Sequence, residues 1–311
     1  MQFLKTLYNV LIMFFYITPA FILKKVDWIK TEHLVSISSL LLYICAPALM
    51  LDAFQKCEFT KDNIIKIGKM FLVSFLLQII AVVILMLIFY KKIEESKYRI
   101  AIAAGIFGNC AFFGLPLINA LFPGSPICVV YVVIYTTTQN ILIFTVAIYC
   151  ITLDKQYVSI LKALLNPATL SFIVAFIVFL TKWKYPKELA DAFSSLSKMA
   201  TCICMQILGI RLASVESLTA LFKRPFVYLA LLIKLGIFPI FCYLISNWIP
   251  WWDKYFVATL VIEAATPTAV FILGLSEQYG KEQELASNSI LLSTIACVVT
   301  LPLITLLFEE T

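Results

Sequence analysis

The chain has 311 residues, of which 62% are hydrophobic and 14% are charged, with a mean hydropathy of +0.98. A soluble domain has roughly 45–50% apolar and about 25% charged residues. The composition therefore excludes a soluble fold and predicts an all-α polytopic protein in a lipid bilayer. The net charge of +6 is spread over short loops without a dense basic block, so no nucleic-acid partner is expected.

Hydrophobic windows of about 19 residues predict ten transmembrane helices. The seventh has a polar first half, which contains serines, a lysine and a threonine. The first is longer than the apolar region of a signal peptide, so we interpret it as a membrane helix. The predicted spans are 3–23, 34–55, 66–90, 99–121, 126–151, 165–182, 188–211, 224–249, 255–276 and 285–308.

A polar stretch around Asp154 divides the chain into a first half, residues 1–153, and a second half, residues 157–311. Five spans lie in each half. An odd number inverts the second half relative to the first, which predicts two inverted five-helix repeats within one transporter domain. Basic residues favour the inner side of a membrane. Their thirteen-to-nine split predicts that both termini lie outside, with Glu309 and Glu310 external.

The fourth span, residues 99–121, contains residues that break a helix. Gly108, Asn109, Gly114 and Pro116 fall together in it. Proline removes a backbone donor and glycine weakens a helix, and in lipid the freed backbone groups need other partners. An unwound segment would offer a helix N-terminus and the Asn109 amide to an anion. The alternative is an ordinary proline kink, which is common in membrane helices.

The ninth span is interrupted at Thr266, Pro267 and Thr268, at a corresponding place in the second half. A single interruption favours the proline kink. Two interruptions at matching places are typical of a transporter whose substrate site lies between them. The interrupting residues of both spans are therefore candidates for substrate binding.

Two ionisable residues lie deepest in the predicted spans, Lys234 in the eighth and Glu263 in the ninth. A charge at the bilayer centre costs about 2.5–3.5 kcal/mol on insertion scales, so such residues usually pair or face an aqueous path. Glu263 is a candidate proton or substrate-charge site, with Lys234 as a candidate partner. The alternative for Lys234 is that its long stem carries the amine to the interface.

Gln139 and Asn140 lie side by side in the fifth span, after three threonines. They are candidates for lining a polar substrate cavity. The alternative is hydrogen bonding between helices, a common use of amides in membranes.

The motifs of other chemistries are missing from the sequence. It has no Walker loop, no HExxH or GxSxG motif and no cysteine–histidine cluster. Neither an enzyme, a metal site nor a cofactor is expected. The nine cysteines lie almost entirely in apolar spans, where thiols pack as small hydrophobes.

The segment GNCAFFGLPLINALFPG, residues 108–124, resembles the Gly-Asn…Gly-Leu-Pro signature of the auxin efflux carrier family. The length, the number of spans and the short central loop resemble a bacterial permease of this family, which also includes the PIN-type carriers of plants. Weaker matches lie at residues 46–49, 234–239, 264–267 and 301–303.

The resemblance implies a fold like that of the antiporter NhaA, in which the fourth and ninth spans cross at their interruptions. Spans 1, 2, 6 and 7 would form a scaffold, and the others a transport domain that moves in an elevator mechanism. The resemblance also implies homodimers and carboxylate substrates bound beside the crossing. Plant carriers have a polar amide where this chain has Glu263, and bacterial relatives are linked to small dicarboxylates such as malate or malonate.

Three functions compete. The favoured one is a secondary transporter of small organic anions in a bacterial cell membrane, with H⁺ and Na⁺ as candidate coupling ions. A cation/proton antiporter of the same fold usually needs carboxylates close together at the crossing, and the sequence offers Glu263 alone. A membrane receptor without transport would need a signalling domain, for which the nearly continuous spans leave no room.

Overall fold

The computed structural model of the protein describes residues 2–214, 224–249 and 252–308. Glu309 and Glu310, with their predicted external position, lie outside these residues. The described chain is built from helices without strands, and twelve of them form the architecture. Their bounds are α1 Gln2–Lys25, α2 His33–Lys56, α3 Lys61–Ile88, α4 Ser96–Ile106, α5 Cys110–Leu121, α6 Pro126–Thr152, α7 Lys155–Leu180, α8 Lys187–Ala213, α9 Pro225–Asn247, α10 Lys254–Ala264, α11 Val270–Tyr279 and α12 Gln283–Phe308.

Eight of these helices are long and apolar enough to cross a membrane, namely α1, α2, α3, α6, α7, α8, α9 and α12. They correspond to eight of the predicted spans, including the seventh with its polar first half. The other two, 99–121 and 255–276, are each divided into two shorter helices, α4 with α5 and α10 with α11. The protein is a multi-pass membrane protein. The total of ten spans, the two inverted repeats and the division into 1–153 and 157–311 stay predictions.

The helices are described in two groups, which also contact each other. In the first, the scaffold group, α8 lies against α1 and α2, and α7 lies against α2. The backbones of α1 and α8 approach closely, because Gly209 faces backbone atoms of Ile17 and Phe21 and leaves no room for a side chain. In the second, the crossing group, α3 and α5 lie against α6, α9 lies against α4 and α10, and α12 lies against α4, α9 and α11. The groups meet where α1 contacts α5 and α12, and where α6 contacts α2 and α7.

We call one face of the bundle the Lys25 face. The helix ends that lie at this face are the end of α1, the starts of α2 and α7, and the ends of α8 and α11. Gly209, four residues before the end of α8, lies near the end of α1. The rings of Tyr157 at the start of α7 and Tyr279 at the end of α11 are 5.0 Å apart. On the opposite face, the end of α2 is hydrogen-bonded to the loop between α7 and α8.

Wide turns precede three of the prolines inside helices. Proline cannot donate a hydrogen bond to the preceding turn, and its ring crowds that turn, so a wider turn relieves both problems. Such π-helical turns are also frequent at functional sites. The turns and their prolines are Leu41–Cys45 with Pro47 in α2, Cys110–Gly114 with Pro116 in α5, and Ile233–Ile237 with Pro239 in α9.

Candidate functional site

The two interrupted segments meet through a short antiparallel pairing of their backbones. The Asn109 N–H donates to the Pro267 carbonyl (2.7 Å), and the Ala269 N–H donates to the Phe107 carbonyl (2.9 Å). Gly108 thereby faces Thr268 across the pairing. Each interruption thereby supplies hydrogen-bond partners for backbone groups of the other. In an apolar environment, backbone groups freed from a helix need such partners.

Gly108 occupies a place where no side chain fits. A Cβ atom there would collide with the Thr266 hydroxyl and would lie 2.6 Å from Lys234 Nζ. The Gly108 N–H donates to Gln139 Oε1 (2.8 Å), and Gln139 Nε2 donates to the Gly108 carbonyl (2.6 Å). The glycine therefore allows three segments to approach closely, and the Gln139 amide is used to hold its backbone.

The C-terminal end of α4 is capped from two other places in the crossing group. The last carbonyls of a helix have no partner within it. The Thr268 hydroxyl donates to the Ala104 carbonyl (2.9 Å), and Lys234 Nζ donates to the Ile106 carbonyl (2.9 Å). A cation at a helix C-terminus also interacts favourably with the helix dipole. Lys234 is fully buried, so its amine holds the end of α4 and does not reach the membrane interface.

Glu263 is also fully buried. Its carboxyl group lies directly against Gly114 in α5, where a Cβ atom would collide with both carboxyl oxygens. Neither oxygen has a hydrogen-bond partner in the described chain, so no hydrogen bond joins Glu263 to Lys234. The Glu263 backbone carbonyl, in contrast, accepts from the Thr266 hydroxyl (2.7 Å).

A cavity of about 200 Å³ lies beside the backbone pairing, between the two helix groups. The crossing group contributes α5, α6 and the start of α11, and the scaffold group contributes α2, α7 and α8. Most of the lining residues are apolar. The candidate residues that line the cavity are Gly108, Asn109, Gln139 and Asn140. Those outside its lining are Gly114, Pro116, Lys234, Glu263, Thr266, Pro267 and Thr268.

Three polar side chains in the cavity are largely uncommitted to the protein. The buried Asn109 amide makes a single long contact, from Nδ2 to Cys204 Sγ at 3.6 Å. The Thr136 hydroxyl is buried without a hydrogen-bond partner in the described chain. Asn140 is buried, and no described residue forms a hydrogen bond with its side chain. These groups are available to a bound molecule.

Arg211 and Thr136 are polar residues of the lining that the sequence analysis does not single out as site residues. Arg211 is in the last turn of α8 and is the one charged side chain among the described residues that line the cavity. Its position at the end of an apolar helix is typical of a loop cation, and nothing in the sequence indicates that it turns inward. Thr136 lies one helical turn before Gln139 and Asn140, and this spacing is a signal that could have found it.

Comparison with known proteins identifies the family of the chain. A model of the membrane transport protein family matches residues 6–305. The chain belongs to this family, the auxin efflux carrier family. The predicted membership of the auxin efflux carrier family is thereby confirmed. Its members are membrane transporters and not enzymes, which implies a surrounding bilayer and a transported substrate. Comparison with curated proteins finds no match.

Proposed function

We propose that this transporter carries small organic anions, with carboxylates such as malate or malonate as the first candidates. The proposal is carried by one observation: the first turn of α5, residues 110–112, and the start of α11, residues 269–271, line the same cavity as Asn109. The N–H groups of a helix's first turn have no partner within the helix, and that end carries a partial positive charge. Two such ends around one cavity favour an anion.

The charges at the cavity support an anion over a cation. Arg211 lines the cavity, whereas Glu263 does not. Hard cations such as Mg²⁺ and Ca²⁺ are held by several oxygen ligands, usually including carboxylates, and the described lining residues supply no carboxylate. Among the described residues, no group of three or more metal-ligating side chains occurs either. Cation antiport by the same fold is therefore the weaker proposal.

We infer that transport proceeds by movement of the crossing group against the scaffold group. The support is the position of the cavity between the groups, with α5, α6 and α11 on one side and α2, α7 and α8 on the other. A substrate held at the interruptions would travel with the crossing group, as in an elevator mechanism. The inverted repeats, the NhaA-like crossing and assembly as a homodimer belong to the same proposal.

Glu263 is the proposed proton site, with H⁺ as the coupling ion in preference to Na⁺. An ionised carboxylate without partners in an apolar interior is far more costly than the neutral acid, and both of its oxygens lack partners in the described chain. Binding and release of a proton would change the charge next to Gly114, in the helix that also lines the cavity. We expect Glu263→Gln to keep substrate affinity and to flatten the pH dependence of uptake. A variant with a normal rate and an unchanged pH profile contradicts this role.

Uptake into proteoliposomes tests the function as a whole. Purified protein is reconstituted, and radiolabelled malate, malonate and simple monocarboxylates are supplied at two external pH values. Saturable uptake of a carboxylate, absent from protein-free vesicles, is the expected result. Uptake of no carboxylate, combined with proton-driven movement of Na⁺ or K⁺, would replace the proposal with cation antiport.

We also propose that the Lys25 face is the inner face, with both termini outside. The support is the modest excess of basic residues in the loops on that side. In a background that lacks the nine native cysteines, an impermeant thiol reagent applied to intact cells should label a cysteine introduced at Lys184 and leave one introduced at Lys162 unlabelled. The reverse labelling pattern would invert the assignment.

A further inference from the structure

We propose that Arg211 binds a carboxylate group of the transported anion and is the scaffold group's contribution to substrate recognition. This inference rests on the proposed function, since it names a residue that recognises the anion at the same cavity. It adds a contact from the scaffold group, whereas Asn109, Thr136 and Asn140 all belong to the crossing group.

Among the described residues, none forms a salt bridge or a hydrogen bond with the Arg211 side chain. Its Nε atom is buried and lacks a hydrogen-bond acceptor in the described chain. Glu277, the acidic residue whose charge acts on it, is exposed on α11 and forms no hydrogen bond with it. A guanidinium within a membrane-spanning helix normally pairs or faces an aqueous path, and here it faces the substrate cavity.

A purely local role does not account for this placement. An arginine in the last turn of a helix often complements the helix dipole and extends to water at the membrane surface. Arg211 instead has a buried Nε, and its side chain shares the cavity with Asn109 and Ile207. Arg211 is therefore placed to contact a molecule bound in the cavity.

The positions along α8 indicate how an anion would lie. Cys204 contacts the Asn109 amide, and Arg211 follows seven residues later, about 10 Å along the helix axis at 1.5 Å per residue. Arg211 thus marks the end of the cavity towards the Lys25 face, and Asn109 marks the end at the interruptions. An anion that enters from the Lys25 face meets the guanidinium first.

The chemistry of the two ends defines a class of ligand. The planar guanidinium presents paired donors that match a carboxylate in a bidentate geometry. The amide of Asn109, the hydroxyl of Thr136 and the free N–H groups of α5 suit a second carboxylate or another hydrogen-bonding group. A short molecule with a carboxylate at one end and a polar acceptor at the other fits both ends, and an uncharged analogue loses the contact with Arg211.

Binding to purified protein tests this role. The Kd of radiolabelled malonate is measured together with competition by unlabelled malonamide, its uncharged analogue. The variants are Arg211→Gln and Arg211→Lys, with Lys162→Gln as the matched control. Lys162 is an exposed cation on the Lys25 face outside the cavity, so its removal changes the surface charge equally. Size-exclusion chromatography establishes that each variant is folded.

We expect Arg211→Gln to weaken malonate binding roughly ten- to a hundredfold, the range for losing a hydrogen bond to a charged group, and to lose most of the preference for malonate over malonamide. Arg211→Lys keeps the charge without the planar fork, so a smaller loss is expected. Lys162→Gln should bind as the wild type does. If Arg211→Gln does not fold, Arg211→Lys decides, and wild-type affinity in that variant overturns the role.

The failure of this role is distinguishable from failure of the proposed function. Wild-type affinity and preference in a folded Arg211→Gln protein, with malonate still bound, would overturn the role of Arg211 alone. A wild-type protein that neither binds malonate nor takes up any carboxylate would overturn both.

Discussion

The interruption between α4 and α5 and the one between α10 and α11 pair with each other through Gly108 and Thr268, but they use their polar groups differently. At the first, the Asn109 side chain lines the cavity and contacts only the Cys204 thiol within the described chain. At the second, the Thr268 hydroxyl caps α4, and the Thr268 N–H donates to Ser293 Oγ (2.9 Å).

We infer from this difference that the polar side chains of the first interruption recognise the substrate and those of the second hold the backbone, while the start of α11 offers only backbone N–H groups to the cavity. A group that binds substrate must keep donors or acceptors free, whereas a group that holds backbone in an apolar interior must use them fully. Thr266 and Thr268 are completely committed in this way. The proposed substrate contacts therefore concentrate on Asn109 and its neighbours in the cavity, and the second interruption positions them.

The largest effect is expected from a substitution that removes the contact between the two interruptions. Gly108→Val places a branched side chain against Thr266 and Lys234, and overpacking of this kind costs about 1–3 kcal/mol or more. It also forces apart the backbone pairing with Thr268. We expect almost no folded protein by size-exclusion chromatography. Gly68→Val is the matched control, because a Cβ atom at Gly68 would meet no other atom within 4 Å. A folded Gly108→Val protein would show that the backbone pairing is dispensable for folding.

Recognition at the first interruption is tested by Asn109→Ala. Loss of a hydrogen bond to a charged group costs about 1.5–3 kcal/mol, which is roughly ten- to a hundredfold in affinity. The thermal midpoint should change little, because the amide makes only one long contact to the protein. Substrate binding and uptake measure the effect. Asn119→Ala, at an exposed position on α5, should behave as the wild type, and equal transport by both variants would remove Asn109 from the site.

Support by the second interruption is tested by Thr268→Val, which keeps the shape of the side chain. The Ala104 carbonyl loses its donor, and an unsatisfied buried acceptor costs about 1–3 kcal/mol. We expect a lower thermal midpoint and an unchanged Kd for the substrate. Thr145→Val removes a hydroxyl bonded within its own helix and should cost less. A weakened Kd with an unchanged midpoint would move Thr268 into the recognition group.

Much of this arrangement follows from local sequence signals. Glycine, asparagine and proline between residues 108 and 116 predict a break because they weaken a helix wherever it lies. The depth of Glu263 and Lys234 follows from counting along apolar spans. The structure ends α4 at Ile106 and begins α5 at Cys110, within the segment where a break is predicted.

The unequal roles could not be predicted, because they depend on contacts between distant parts of the chain. Lys234 caps a carbonyl 128 residues away in sequence, and Gln139 is occupied by the backbone of Gly108. Periodicity places a residue on a face of its helix and does not identify the helix that this face contacts. Arg211 could not be predicted for the same reason. Its position near a helix end is equally compatible with a cation at the surface and with a residue that lines a cavity.

The smallest expected effect concerns the extent of the group of residues that recognise the substrate. Thr136 lines the cavity with a buried hydroxyl that has no partner in the described chain, so Thr136→Val breaks no hydrogen bond to a described residue. Burying a methyl group in place of an unsatisfied hydroxyl should hold or raise the thermal midpoint. If the hydroxyl contacts the substrate, its loss costs about 0.5–1.5 kcal/mol, or roughly three- to tenfold in Kd.

Thr137→Val is the control, since the Thr137 hydroxyl donates to the Val133 carbonyl (2.8 Å) and lies outside the cavity lining. A loss of affinity in Thr136→Val alone, with stability retained, extends the recognition group to α6, whereas equal affinities in both variants confine it to the first interruption and Arg211.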